Sequence, residues 1–260
     1  MFSFRSCLDC QGWPKFAARQ FAVKGTDTLA AVQYFDSSSE LVLGDGSKVS
    51  VVVETHYPFA EQVKFTIKAD KAFSMELRIP QWCKGASVTG SGDASQTIVH
   101  EKDLPAGVMH SVAVAAGSST LTLTLPLAIR VVRRPPYAIN ATYSVDTNAA
   151  NIYRGPLLYA APRDFTMDHS KPYDDAPGLL PVGQAHGQNN YLLGTGNWSY
   201  ALRISDDSAA EKDLTFVAVD VQAPPKGQGP FSPFFVPGHI KAKAQLLEEW
   251  GYTQGEYGGR

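Results

Sequence analysis

Val63-Lys64-Phe65-Thr66-Ile67-Lys68 is followed, after Ala69-Asp70-Lys71-Ala72, by Phe73-Ser74-Met75-Glu76-Leu77-Arg78-Ile79. In both runs an apolar side chain alternates with a polar one. That period of two puts one face of a strand on a core and the other in water. The four residues between the runs have turn character, so the pair reads as a hairpin. Pro80 has no N–H to give a ladder and closes the second strand.

The same pattern recurs in both directions. Leu121, Leu123 and Leu125 alternate with Thr122 and Thr124 and stop at Pro126. Further strands are expected over 29–35, 49–54, 98–100, 112–115, 129–133, 152–160, 214–221 and 240–246. Gly44-Asp45-Gly46 and Ser91-Gly92-Asp93 are turn sequences. Helical periodicity is confined to 14–21, with Pro14 suited to a first turn, and to 246–250. The expected class is all-β: a β-sandwich of the jelly-roll or Greek-key kind, a second smaller β-rich part and little helix.

Composition agrees. The 260 residues are 44% hydrophobic, enough for a real core, and 18% charged, below the roughly 25% of ordinary domains. Net charge is −2, and the one tight basic group, Arg130, Arg133 and Arg134, is too small for a nucleic-acid footprint. No apolar run reaches the ~20 residues of a membrane span, and the first residues hold no apolar stretch of a secretory signal. Neither nucleic acid nor a membrane is an expected partner. Periodicity lapses over 162–188, and 223–238 carries five prolines. The organisation expected is a lead-in segment at 1–25, the main sandwich at 26–161, and a loop-rich stretch with a second β-rich part at 162–260.

Five segments in order carry a resemblance: Gln11-Gly12-Trp13-Pro14-Lys15-Phe16, Glu54-Thr55-His56-Tyr57-Pro58-Phe59, Leu77-Arg78-Ile79-Pro80-Gln81-Trp82, Tyr153-Arg154-Gly155-Pro156-Leu157-Leu158-Tyr159 and Asn197-Trp198-Ser199-Tyr200-Ala201-Leu202. Together they resemble glycoside hydrolase family 127, the β-L-arabinofuranosidase-like enzymes. The resemblance implies the β-sandwich portion of such an enzyme, whose catalytic (α/α)6 barrel precedes these segments. It also implies, for the whole enzyme, a cysteine nucleophile held on zinc by further cysteines and a glutamate, an arrangement that keeps a thiolate ionised and aimed. Complete members have adjacent cysteines just before the Gly-Trp-Pro-Lys-Phe segment, whereas here Cys7 and Cys10 are two residues apart. Nucleophile and ligand roles therefore do not carry over to them, and no metal or cofactor is expected. The resemblance suggests an extracellular setting, where the sequons at Asn140 and Asn197 would accept glycans.

The ligand-binding candidates are His56, Tyr57, Trp82, Arg154, Trp198 and Tyr200. Aromatic rings stack on sugars, but in a sandwich they more often fill a core or a seam. His56 and Tyr57 sit at a strand end, where binding residues gather, although a structural turn is the commoner use. Arg154 precedes a Gly-Pro break inside an apolar run, the mark of a bulge or close backbone approach, and is suited to an anion or a local carboxylate. Asp174-Asp175, Asp206-Asp207 and Glu248-Glu249 are neighbours in sequence rather than a pair facing across a cleft, as glycoside hydrolysis requires. His169 and His186 fall in the irregular stretch. No catalytic residue is assigned.

The reading is a non-hydrolytic sandwich related to the accessory domains of these hydrolases, contacting a carbohydrate or small molecule. Its rivals are a stand-alone isomerase or cyclase of secondary metabolism, working by orientation in an aromatic, mostly apolar pocket, and a truncated hydrolase product. An apolar face vacated by the barrel, carrying Trp13 and Phe16, is expected to be re-covered or to pair two chains as a homodimer.

Overall fold

The structure is a computed structural model and describes residues 12, 14–92, 99–133, 138–140, 143–144, 149–161, 165–168, 191–194, 200–218 and 238–247. It is built from strands, and among the described residues no helix reaches seven residues. The chain divides into two compact units, Met1–Arg130 with Tyr153–Leu158, and Val131–Ile152 with Tyr159–Arg260.

Ten strands form the first unit's sandwich. They are β1 (Phe21–Lys24), β2 (Thr28–Ala31), β3 (Ser37–Val42), β4 (Lys48–Thr55), β5 (Gln62–Ala69), β6 (Phe73–Arg78), β7 (Ala86–Gly92), β8 (Val99–Leu104), β9 (Met109–Val114) and β10 (Gly117–Thr124). One sheet runs β1-β2-β6-β9 and the other β3-β4-β5-β10-β7-β8. Neighbouring strands within them are antiparallel except β2 and β6, which are parallel.

The alternation of the deciding stretch is realised in burial. Val63, Phe65 and Ile67 are fully buried, as are Met75 and Leu77, while Lys64, Lys68 and Arg78 are exposed. These side chains meet Leu29, Val49, Val51, Val53, Val88, Val112, Leu121 and Leu123 in one core. Burying such a set supplies on the order of 2 kcal/mol per large side chain, offset by the entropy of ordering the chain.

The expected hairpin is not formed. β5 pairs with β4 and β10, whereas β6 pairs with β2 and β9, so the link after Ala69 crosses from one sheet to the other. A hairpin would put both apolar rows on one sheet face. Crossing instead sets them opposite each other, so that each row closes the core over the other.

Other bounds also move. The strand expected over 29–35 ends at Ala31, and β3 follows where Ser37-Ser38-Ser39 showed no apolar alternation. Ser91 and Gly92 extend β7 rather than turn. Residues 14–17 are helical, but Phe21 already begins β1. Gly44-Asp45-Gly46 does turn: Gly46 has φ 82, and Asp45 Oδ1 accepts from both the N–H and the hydroxyl of Ser47.

After the sandwich come β11 (Ile129–Arg133), β12 (Ala138–Asn140), β13 (Tyr143–Ser144), β14 (Ala150–Arg154) and β15 (Leu157–Tyr159). β11, β14 and β15 form a three-stranded sheet, and β12 pairs with β13. The strand expected over 152–160 is thus two strands, split at Gly155-Pro156. Next are β16 (Phe165–Asp168), β17 (Tyr191–Gly194), β18 (Tyr200–Leu202), a 3-10 segment (Asp207–Lys212), β19 (Leu214–Ala218), β20 (Gly238–Ala242) and β21 (Ala244–Leu246). They pair as β16–β17, β18–β21 and β19–β20. Leu246 ends a strand instead of starting a helix, and 248–250 lie outside the described residues.

Candidate functional site

Two places in the sandwich bring chemistry-bearing side chains together. The first lies where β4 ends and β6 leads into β7. Thr55 ties the turn after β4: its N–H donates to Asp36 Oδ1 at 2.6 Å, its hydroxyl donates to the Gln62 carbonyl at 2.7 Å, and its Oγ1 accepts from the Tyr57 N–H at 2.9 Å. His56 is exposed, and its carbonyl accepts from the N–H groups of Phe59 and Ala60. Tyr57 is half-buried and packs on the core. Its ring meets Tyr34 edge-on at 6.0 Å, and Tyr34 meets Phe65 in the same way, also at 6.0 Å. The Tyr34 hydroxyl donates to the Arg78 carbonyl at 2.8 Å. Burial pushes the phenols of Tyr34 and Tyr57 upward against the opposing charge of Arg78, and Tyr34 ends well above the tyrosine range.

Trp82 is half-buried against the same core. Its ring also borders Gly155, whose φ of +54 is one that side-chain-bearing residues rarely adopt, and a Cβ there would press on the Leu127 side chain. The Gly155 carbonyl accepts from Arg130 Nη2 at 2.9 Å, and the Arg130 guanidinium lies 5.2 Å from the centroid of the Tyr153 ring. Arg154 is half-buried beside this turn. Cys83, next to Trp82, is fully buried, and burial, aided by the Glu61 charge, pushes its thiol up to about 11. A thiol so held is not a nucleophile at neutral pH.

Trp82 and the Tyr153–Pro156 turn are therefore together, with Tyr57 joined to the same core through Tyr34. Tyr200 is exposed on β18 of the second unit. Asn140 ends β12. Cys7, Cys10, Trp13, Trp198, Asn197, His169, His186, Asp174, Asp175, Glu248 and Glu249 lie outside the described residues. Phe16 is half-exposed, its ring 6.4 Å from that of Phe35. Among the described residues, no group of three or more His, Cys, Asp or Glu side chains is placed to hold a metal.

Sequence reading passed over Tyr34 and treated Arg130 only as part of a weak basic cluster. Their partners, Arg78 and Gly155, are 44 and 25 residues away, beyond any local pattern.

The carboxylates have defined tasks. Ser47 and then Lys71 hold Asp45 well below the usual carboxylate range. Asp206 is lowered by the hydroxyl and N–H of Ser208, Asp207 by Arg133, and Asp213 by the hydroxyl and N–H of Ser205. Arg133 reaches Asp207 with two bonds, of 2.7 and 2.9 Å. Glu61 Oε1 accepts from the Leu127 N–H at 3.0 Å.

The second place is a shallow groove of about 560 Å³ on the water-facing side of the six-stranded sheet, at the end remote from the Tyr57 turn. Its lining includes Glu40 and Val42 of β3, Lys48 and Ser50 of β4, Lys68 of β5, and Asp70.

Residues 28–127 match the family model described as Beta-L-arabinofuranosidase, GH127 middle domain. This segment is similar to the GH127 middle domain. The match runs from the first residue of β2 to just past β10, and the resemblance read in the sequence is borne out over it. Among solved structures, a GH127 β-L-arabinofuranosidase from Geobacillus stearothermophilus T6 is 18% identical with a TM-score of 0.43, over 68% of this chain and 32% of that one. A GH127 β-arabinofuranosidase is 22% identical with a TM-score of 0.44, over 56% and 24%. A further glycoside hydrolase is 23% identical with a TM-score of 0.39, over 50% and 20%. The chain thus spans about a third or less of the length of these proteins. A search of curated proteins found no match.

Proposed function

We propose that the chain's GH127-middle-like sandwich is a non-hydrolytic module that contacts carbohydrate. The observation that supports the first half is the state of four aspartates among the described residues. A glycosidase needs one carboxyl group held protonated, its pKa raised, to serve as general acid. Asp45, Asp206, Asp207 and Asp213 are all shifted the other way, by hydrogen bonds to their ionised forms: from Ser47 and Ser208 two residues on, from Arg133, and from Ser205. Glu61 is likewise occupied with a backbone N–H. The four aspartates are thus engaged in their ionised forms in structural contacts.

The carbohydrate half rests on the family match, since the model matched over residues 28–127 is named for β-L-arabinofuranosidase. The test is affinity electrophoresis of the whole chain through a gel containing soluble arabinan, with arabinose release from 4-nitrophenyl β-L-arabinofuranoside followed alongside. The expected result is retarded migration without hydrolysis. Unretarded migration sinks the carbohydrate half, and steady release of nitrophenol that is lost with a carboxylate substitution sinks the non-hydrolytic half.

A further inference from the structure

The water-facing side of the six-stranded sheet carries two different arrangements of charge. Glu54 on β4 lies directly across from Lys64 on β5, and the two form an ion pair of 2.8 Å. Nearer the other end, Glu40 on β3 is across from Ser50 on β4, and Ser50 is across from Lys68 on β5. With strands about 4.8 Å apart, that register sets the Glu40 and Lys68 backbones roughly 10 Å from each other. An acceptor and a donor are thus held apart over a serine floor.

This interval is the groove. Val42, 60% exposed, gives it an apolar wall. Lys48 and Asp70 add one more charge of each sign, and the Asp70 carboxylate is anchored by the Lys48 N–H at 3.2 Å. Two carboxylates and two ammoniums cancel, so the lining offers separate donors and acceptors with no net charge. A cation or an anion would meet one favourable and one unfavourable pair. A neutral ligand with hydroxyls around an apolar ring face satisfies the carboxylate with its O–H groups, the ammonium with its oxygens and the valine with its C–H face.

We infer that this groove is a subsite for a short neutral glycan, with Glu40 accepting from and Lys68 donating to its hydroxyls. The inference deepens the carbohydrate-contacting reading above and rests on it.

The test compares four proteins by affinity electrophoresis in arabinan and, as a charged counter-probe, in polygalacturonate. They are the whole chain, Glu40→Gln, Lys68→Met, and the control Lys64→Met, which breaks the ion pair outside the groove. Melting temperatures are recorded for all four. These side chains are solvent-exposed, so the folds should survive. Expected are arabinan affinity about tenfold weaker in Glu40→Gln and in Lys68→Met, unchanged affinity in Lys64→Met, and weaker retention of the unsubstituted chain by polygalacturonate. If the unsubstituted chain binds arabinan and the groove variants bind equally well, the groove is refuted while the carbohydrate reading stands. Tighter retention by polygalacturonate refutes the neutral-ligand assignment. If the unsubstituted chain binds neither glycan, the underlying reading fails and the groove falls with it.

Discussion

At the scale of single residues, Tyr34 joins three parts of the sandwich: its ring touches Tyr57 and Phe65, and its hydroxyl holds the Arg78 carbonyl. Replacing it with phenylalanine keeps the ring contacts and deletes one hydrogen bond, so Tyr34→Phe should cost about 1 kcal/mol at neutral pH. Its pH behaviour is a separate signature. The folded-state phenol titrates above the unfolded one, so its contribution is complete below about pH 10 and is lost as pH rises beyond that. The Cys83 thiol acts alike, from about 8.5 in the unfolded chain to about 11 folded. Denaturant unfolding from pH 7 to 11 should therefore show stability falling on the alkaline side, less steeply above pH 10 in Tyr34→Phe. Parallel curves for the two proteins would mean that the phenol is not buried as described.

At the scale of elements, the link between β5 and β6 is the informative feature. Both strands show the alternation that either a hairpin or a sheet-crossing connection requires, because the pleat is a property of each strand alone. The choice is made by partners elsewhere in the chain. β4 and β10 flank β5, leaving it no free edge for β6, which takes β2 and β9 instead. Two-residue Asn-Gly loops favour direct hairpins. Replacing Asp70-Lys71-Ala72 with Asn-Gly should therefore lower the melting temperature sharply, whereas inserting one glycine into the link should cost less than about 1 kcal/mol. An unchanged melting temperature after the Asn-Gly replacement would contradict a crossing between sheets.

For the whole molecule, acid is the expected weak point. Asp45, Asp206, Asp207 and Asp213 titrate lower in the folded chain than in the unfolded one. What they contribute is present above the ordinary aspartate value of about 3.9 and is lost as pH falls below it toward their folded values. Melting curves should vary little between about pH 5 and 7 and drop below about pH 4. Asp45→Asn should narrow that drop. A melting temperature that holds down to pH 2 would show that these contacts do not depend on ionised carboxylates.

Alternation along single strands already says which of their side chains lie inside. Val63, Phe65, Ile67, Phe73, Met75, Leu77, Leu121 and Leu123 were legible from alternation because burial on one face is local pleat geometry, and all of them are buried. The all-β class followed from the same local signal, whereas the family likeness rested on a resemblance carried by five short segments in order. The folded pairing alone sets which strand lies beside which. It also decided that Arg130 reaches Gly155, and that Glu40, Ser50 and Lys68 fall into one row across three strands. Those relations join residues far apart along the chain. They depend on pairing and register across the sheets, to which a period of two within one strand is blind.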